Sequence, residues 1–172
     1  MTNFDCSAHF VKSVDDLQKT MSITPAYLIT QDAEGIQDYS QITMELGRRF
    51  RALKLWFVIR AYGVAGLQKI IRDHVAWAEQ LAERLGAVPG IELTSPVQLG
   101  LFSFRLRPEG TEDGEALDRL NAEFLDAVNG DGTIYLTQTV HEGRYVIRVS
   151  IGTTATSQDD IDLSLIHISE PT

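Results

Sequence analysis

LGRRFRALKLWFVIRAYG, residues 46–63, is the stretch around which this chain is organised. No glycine or proline falls between Gly47 and Gly63, so nothing in it interrupts a helix. Phe50, Leu53, Phe57 and Ala61 keep helical spacing, and Leu55, Val58, Ile59 and Tyr62 form a second apolar line. A helix that is apolar on two lines is clamped between other elements rather than laid on a surface. Arg48, Arg49, Arg51, Lys54 and Arg60 crowd the same segment. They read either as solvated or ion-paired charges on a core helix, or as a first turn that faces an anionic site.

Upstream, residues 22–45 show no sustained period, yet Tyr27, Leu28, Ile29, Ile36 and Tyr39 give them side chains that would dock. A loop this long between two clear elements is usually functional, so the segment reads as a lid. Ser13 is placed to cap a helix over VDDLQKTM, residues 14–21, whose first turn is acidic. In residues 3–12, Phe4, Cys6, Ala8 and Phe10 alternate with polar neighbours, which predicts strand, tight passage, strand. The chain therefore starts inside an element, the first sign of a fragment.

Downstream, residues 64–85 predict a second long helix with Leu67, Ile70, Ile71, His74, Ala78, Leu81 and Leu85 on its apolar stripe, ended by Gly86 and Pro89-Gly90. Strands follow at 91–93 and 99–106, a helix at 115–128, and strands at 133–139 and 145–151 around a hairpin signal at His141-Glu142-Gly143-Arg144. The expected result is two layers, an antiparallel sheet of three or four strands with helices on one face. Ser157 to Asp162 looks like the cap and first turn of a last helix. The segment after it, LSLIHISEPT (163–172), shows no helical stripe and looks like translated library adapter, so it is expected to stand outside the fold.

A net charge of −9 argues against nucleic-acid or anionic-membrane partners. Cys6 is the single cysteine, which excludes an intrachain disulfide and fits a reducing, cytoplasmic setting. No apolar run approaches the roughly 20 residues needed to span a bilayer. His9, His74, His141 and His167 sit far apart without metal-ligand spacing, so no metal is expected, and His74 on its stripe reads as a core histidine. Glycine-rich nucleotide loops and the GxSxG elbow are absent.

LGRRFRALKLWFVIRAYGVAGLQ resembles the segment that follows the cofactor lysine in the group II pyridoxal-phosphate (PLP) decarboxylases, the family of the aromatic-L-amino-acid, histidine and glutamate decarboxylases. The likeness extends from Asn3-Phe4-Asp5-Cys6-Ser7-Ala8 through Pro25-Ala26-Tyr27-Leu28 to Tyr145-Val146-Ile147-Arg148-Val149. It implies an α+β fragment of a fold-type I PLP enzyme: a remnant of the large domain at 1–45 holding the catalytic loop 22–45, linker helices at 46–86, and a C-terminal small domain at 87–162. The parent would decarboxylate an L-amino acid, an aromatic one, to the amine and carbon dioxide, as a homodimer using pyridoxal 5'-phosphate.

By the same resemblance Tyr27 matches the loop tyrosine that delivers a proton to the substrate Cα, and Gly47 matches a glycine bordering the substrate pocket of the neighbouring subunit. Read without the family, Tyr27 is a loop anchor and Gly47 a turn or close approach. Ile42 and Glu45 depart from the family's aromatic and proline at those places. The Schiff-base lysine is expected upstream of Met1, so this chain holds no cofactor-binding residue and is expected to be inactive alone. The alternative expectation is a short interaction or regulatory module that pairs with a full-length decarboxylase protomer.

Overall fold

Ser13 starts the first helix by the chemistry its sequence suggests. Its hydroxyl accepts from the Asp16 backbone N–H at 3.2 Å, and α1 runs Val14–Met21 with Asp15 and Asp16 in the positive first turn. The computed structural model describes residues 2, 4–22, 39–45, 47–111, 114–130 and 132–170. Contacts within the chain divide it into two units, Thr2–Ala61 and Tyr62–Thr172. The boundary falls beside Gly63, so the expected linker of 46–86 is split between the units.

In the first unit, residues 4–12 form no strand, contrary to their alternation. A strand needs a neighbour to take its backbone groups, and this stretch pairs with none among the described residues; Phe4 is 99% exposed. Gln18 of α1 hydrogen-bonds Gln41 in a short 3-10 helix, Tyr39–Ile42. The central helix starts later than expected: residues 47–50 are irregular and α2 runs Ala52–Gly86. At Gly63 the backbone takes φ 66° and ψ 166°, a region open almost only to glycine, and the helix breaks there.

In the second unit α2 continues to Gly86, and His74, Ala78, Leu81 and Leu85 bury the stripe that the sequence marks. The sheet comprises β1 (Ile91–Leu93), β2 (Leu101–Leu106), β3 (Thr137–His141) and β4 (Arg144–Ser150), antiparallel throughout in the order β1-β2-β4-β3. Phe102 faces Val149 and Phe104 faces Ile147 across β2 and β4, so all four lie on one face. That face packs with Leu81 and Leu85 of α2, with Leu125 and Val128 of α3 (Gly114–Gly130), and with Ile161 and Ile168 of α4 (Gln158–Ser169). Each such side chain contributes roughly 1.5–3 kcal/mol on burial. Helices therefore share one face of the sheet. The opposite face is buried too along β2, where Ser103 and Arg105 alternate with the phenylalanines.

Two asparagines on α3 replace strand partners. The β2–β4 ladder stops at Phe104 and Ile147; beyond it Asn121 accepts from Leu106 N–H at 2.7 Å and donates to Leu106 C=O at 3.0 Å. Asp118 takes the Tyr145 N–H at 3.1 Å and the Arg105 guanidinium at 3.1 Å. Two turns along, Asn129 does for Leu136 what Asn121 does for Leu106, at 2.8 and 3.0 Å. This explains why β3 begins at Thr137 rather than at 133: the lead-in is bound to α3 instead of to β4.

The expectation that residues 163–172 stand outside the fold does not hold through Ser169. Ser157 and Asp160 form a reciprocal capping box, and α4 carries on without a break. Ile161, Leu165 and Ile168 supply the stripe, and Ile168 is 2% exposed. The His167 ring nitrogen Nε2 lies 3.1 Å from the Val128 carbonyl.

Candidate functional site

Arg51 sits in the turn that precedes α2 and Lys54 in its first turn, where positive charge opposes the helix dipole. Their counter-charge is the chain's own. Arg51 Nε donates to Asp5 Oδ2 at 2.8 Å, and Lys54 Nζ lies 3.8 Å from Asp5 Oδ1. Lys54 also donates to the carbonyls of Phe4 at 3.2 Å and Asp5 at 3.4 Å, while the Cys6 thiol points to the Arg51 carbonyl at 3.8 Å. The Arg51 hydrogen bond holds the Asp5 carboxyl below its ordinary value of 3.8, and Asp5 in turn pushes the Arg51 guanidinium up. Of the two readings of the basic residues, the ion-paired one describes Arg51 and Lys54. The anion is a side chain some 46 residues earlier, which spacing alone gave no reason to pick.

Tyr27 lies outside the described residues. Gly47 is exposed in the irregular stretch before α2, and a Cβ added there would meet nothing within 4 Å. A close approach of backbone to Gly47 is therefore not seen. The chain has four lysines. A Schiff-base lysine needs an enclosed setting that lets it lose its proton. Lys12, Lys19 and Lys69 are exposed, the latter two beside Asp16 and Asp73, and Lys54 is engaged by Asp5. These residues do not fit an anchor for PLP.

His74 is buried with its ring 5.7 Å from that of Trp77, a core position. Among the described residues no group of three or more His, Cys, Asp or Glu is arranged to hold a metal, and no helix is long and apolar enough to cross a membrane. The first part of α2 is not clamped as its double apolar line predicts. Trp56 is 53% and Phe57 58% exposed, their rings edge to face at 5.1 Å, and Arg60 lies over Trp56 at 5.7 Å. Phe50, Leu53, Leu55, Trp56 and Ile59 line an open groove of about 510 Å³ beside them.

The pyridoxal-dependent decarboxylase conserved domain matches residues 1–107. Tryptophan decarboxylase 2 of Oryza sativa subsp. japonica is 38% identical over 164 residues, which cover 94% of this chain and 33% of that protein. Phenylacetaldehyde synthase of Arabidopsis thaliana is 36% identical over 163 residues, again 94% of this chain and 33% of its own length. The crystal structure of Oryza sativa TDC with PLP and tryptamine superposes with a TM-score of 0.80 at 30% identity, over 90% of this chain and 32% of that one. The chain thus spans about a third of the length of the curated relatives it matches. Its helices and antiparallel sheet are part of a fold-type I PLP decarboxylase architecture, as the resemblance implied.

Proposed function

The chain belongs to the pyridoxal-dependent decarboxylase family, and on that premise we propose that it is the portion of a carboxy-lyase bearing the proton-delivering loop and the small domain. The complete enzyme converts an aromatic L-amino acid to its amine and carbon dioxide, as a cytoplasmic homodimer. The observation that carries this reading is the family match over residues 1–107 together with the 38% identity to a tryptophan decarboxylase.

When bound, PLP supplies the electron sink for the loss of the carboxylate. The residues of this chain serve the step after it. Tyr27 gives its hydroxyl proton to the substrate Cα, and Gly47 leaves room at the rim of the neighbouring subunit's pocket. The lysine that anchors the cofactor is supplied by sequence other than these 172 residues, so the chain alone forms no product.

A second reading has its own support, because an aldehyde synthase is almost as similar as the decarboxylases. Family resemblance ties aldehyde formation to phenylalanine at the loop position, where this chain has Tyr27 in TPAYL. In a polypeptide completed with the unmatched two thirds, Tyr27→Phe is expected to keep the cofactor's absorbance and to lose amine formation by about 10²–10⁴, the usual worth of a positioned acid. Amine released at the parental rate would reduce Tyr27 to a loop anchor, and aldehyde as the main product with Tyr27 in place would favour the synthase.

A further inference from the structure

Residues 4–12 have little apolar burial to hold them in place. Phe4 and residues 7–12 are exposed, and only Asp5 and Cys6 between them are half-buried. These two are where the segment meets the turn into α2. Arg51 Nε and Lys54 Nζ converge on the two Asp5 carboxylate oxygens, and Lys54 also donates to the carbonyls of Phe4 and Asp5. The Cys6 thiol faces the Arg51 carbonyl from the same side. Asp5 and Arg51 are 46 residues apart, so their pairing closes a long loop. A second tie lies inside it, from the Gln18 side-chain amide to Gln41, 23 residues on. Tyr27 falls within both closures in the sequence. Each tie narrows the range of positions open to the segment between its ends.

We propose that Asp5, Arg51 and Lys54 form a clasp at the base of the segment that carries Tyr27, and that they are positioning residues for its proton delivery. The clasp fixes where that segment leaves the chain and where it rejoins, and so keeps the Tyr27 hydroxyl within reach of the carbon it protonates. The inference rests on the reading of Tyr27 as the proton donor. A half-exposed ion pair is weak by itself. Here one carboxylate takes two cations, and one of them also binds two backbone carbonyls, so several contacts share a single closure. The three residues act through Tyr27, not on the substrate.

Two measurements test the clasp. In the completed polypeptide, Asp5→Asn and Arg51→Gln should lower kcat for amine formation by about 10- to 100-fold, the scale of a misplaced catalytic group, with KM and the cofactor's absorbance unchanged. Arg51→Lys keeps the charge and should lose less. Asp5→Asn should cost nothing further when Tyr27 is already Phe, because the two changes remove one effect. Lys69→Gln, which breaks the surface pair with Asp73 in the second unit, should leave kcat as it is. In the 172-residue chain itself, Cys6 is the single cysteine. Arg51→Gln should speed its reaction with an uncharged disulfide severalfold by exposing it, even though removing a cation disfavours a thiolate. Circular dichroism checks each fold, and Asp5→Asn decides alone should Arg51→Gln not fold. Amine formed at the parental rate by the clasp variants, losses that add in full to that of Tyr27→Phe, or a Cys6 no faster than in the parent would each overturn the proposal. A parental rate in Tyr27→Phe itself would sink the donor reading and the positioning role with it. A loss in Tyr27→Phe with none in Asp5→Asn would sink the clasp alone.

Discussion

Asn121 has no exposed surface and makes three hydrogen bonds to backbone, two to Leu106 and one to the Leu117 carbonyl at 2.8 Å. Its value lies in where the ladder ends: without it the Leu106 N–H and C=O would be left inside with no partner. An unsatisfied buried group costs about 1–3 kcal/mol, so Asn121→Ala should lower stability by roughly 2–4 kcal/mol in urea titration. A loss under about 0.5 kcal/mol, the scale of a surface substitution, would mean that water replaces it. Asp160 shows the same logic with charge. Its carboxylate accepts from the Ser157 backbone N–H and then from the hydroxyl, each at 2.8 Å, and the pair holds it below its ordinary 3.8. A carboxylate with a lowered folded pKa contributes stability that is complete above the ordinary value and vanishes as pH falls through the folded one. The start of α4 should therefore loosen on acidification below about pH 4. Amide exchange at Asp160 should rise there in the native chain and be already high at neutral pH in Asp160→Asn.

The β3–β4 hairpin turns in two residues, Glu142 at φ 51° and Gly143 at φ 76°, between the pair His141 and Arg144. Both central residues are left-handed, as the right-handed twist of the strands requires, and the first of them is a residue that resists it. Glu142→Asn should stabilise by about 0.5–1 kcal/mol, read as a higher urea midpoint. The exposed Glu142–Arg144 pair at 3.3 Å offsets little of this, and Arg144 keeps Glu92 at 3.2 Å. A lower midpoint would show that the ion pair outweighs the backbone. This hairpin was legible from His141 to Arg144 because turn chemistry is local. So were the Ser13 cap and the 74–85 stripe, where each residue's role depends on neighbours one turn away. What escaped were effects set by distant partners. The alternation in 4–10 found no strand to pair with. Leu165 and Ile168 made no visible stripe until Ile161, in the segment before, was counted with them. Asn121, Asn129 and Asp5 looked like ordinary polar residues, since a side chain that replaces a backbone partner leaves no period in the sequence. Tyr27, the site residue named by resemblance, lies outside the described residues, and Gly47 shows no tight contact that would mark it.

Across the whole molecule the two units differ in what they bury. Residues 62–172 hold the shared core of α2, α3, α4 and the sheet, whereas in 2–61 the large apolar side chains Phe4, Phe10, Phe50 and Trp56 remain exposed. Hydrogen exchange should be slow in β2, β4 and residues 74–85 and fast in residues 4–12 and 47–50. Uniform protection across both would show that the first unit is complete as it stands. The claim that matters most is that this chain belongs to a PLP decarboxylase yet carries no anchor for the cofactor, and borohydride reduction after incubation with pyridoxal phosphate tests it. Peptide mapping should find the label scattered below one equivalent over the four lysines, according to their exposure. One full equivalent trapped on a single lysine, Lys12 or Lys54 above all, would contradict the account.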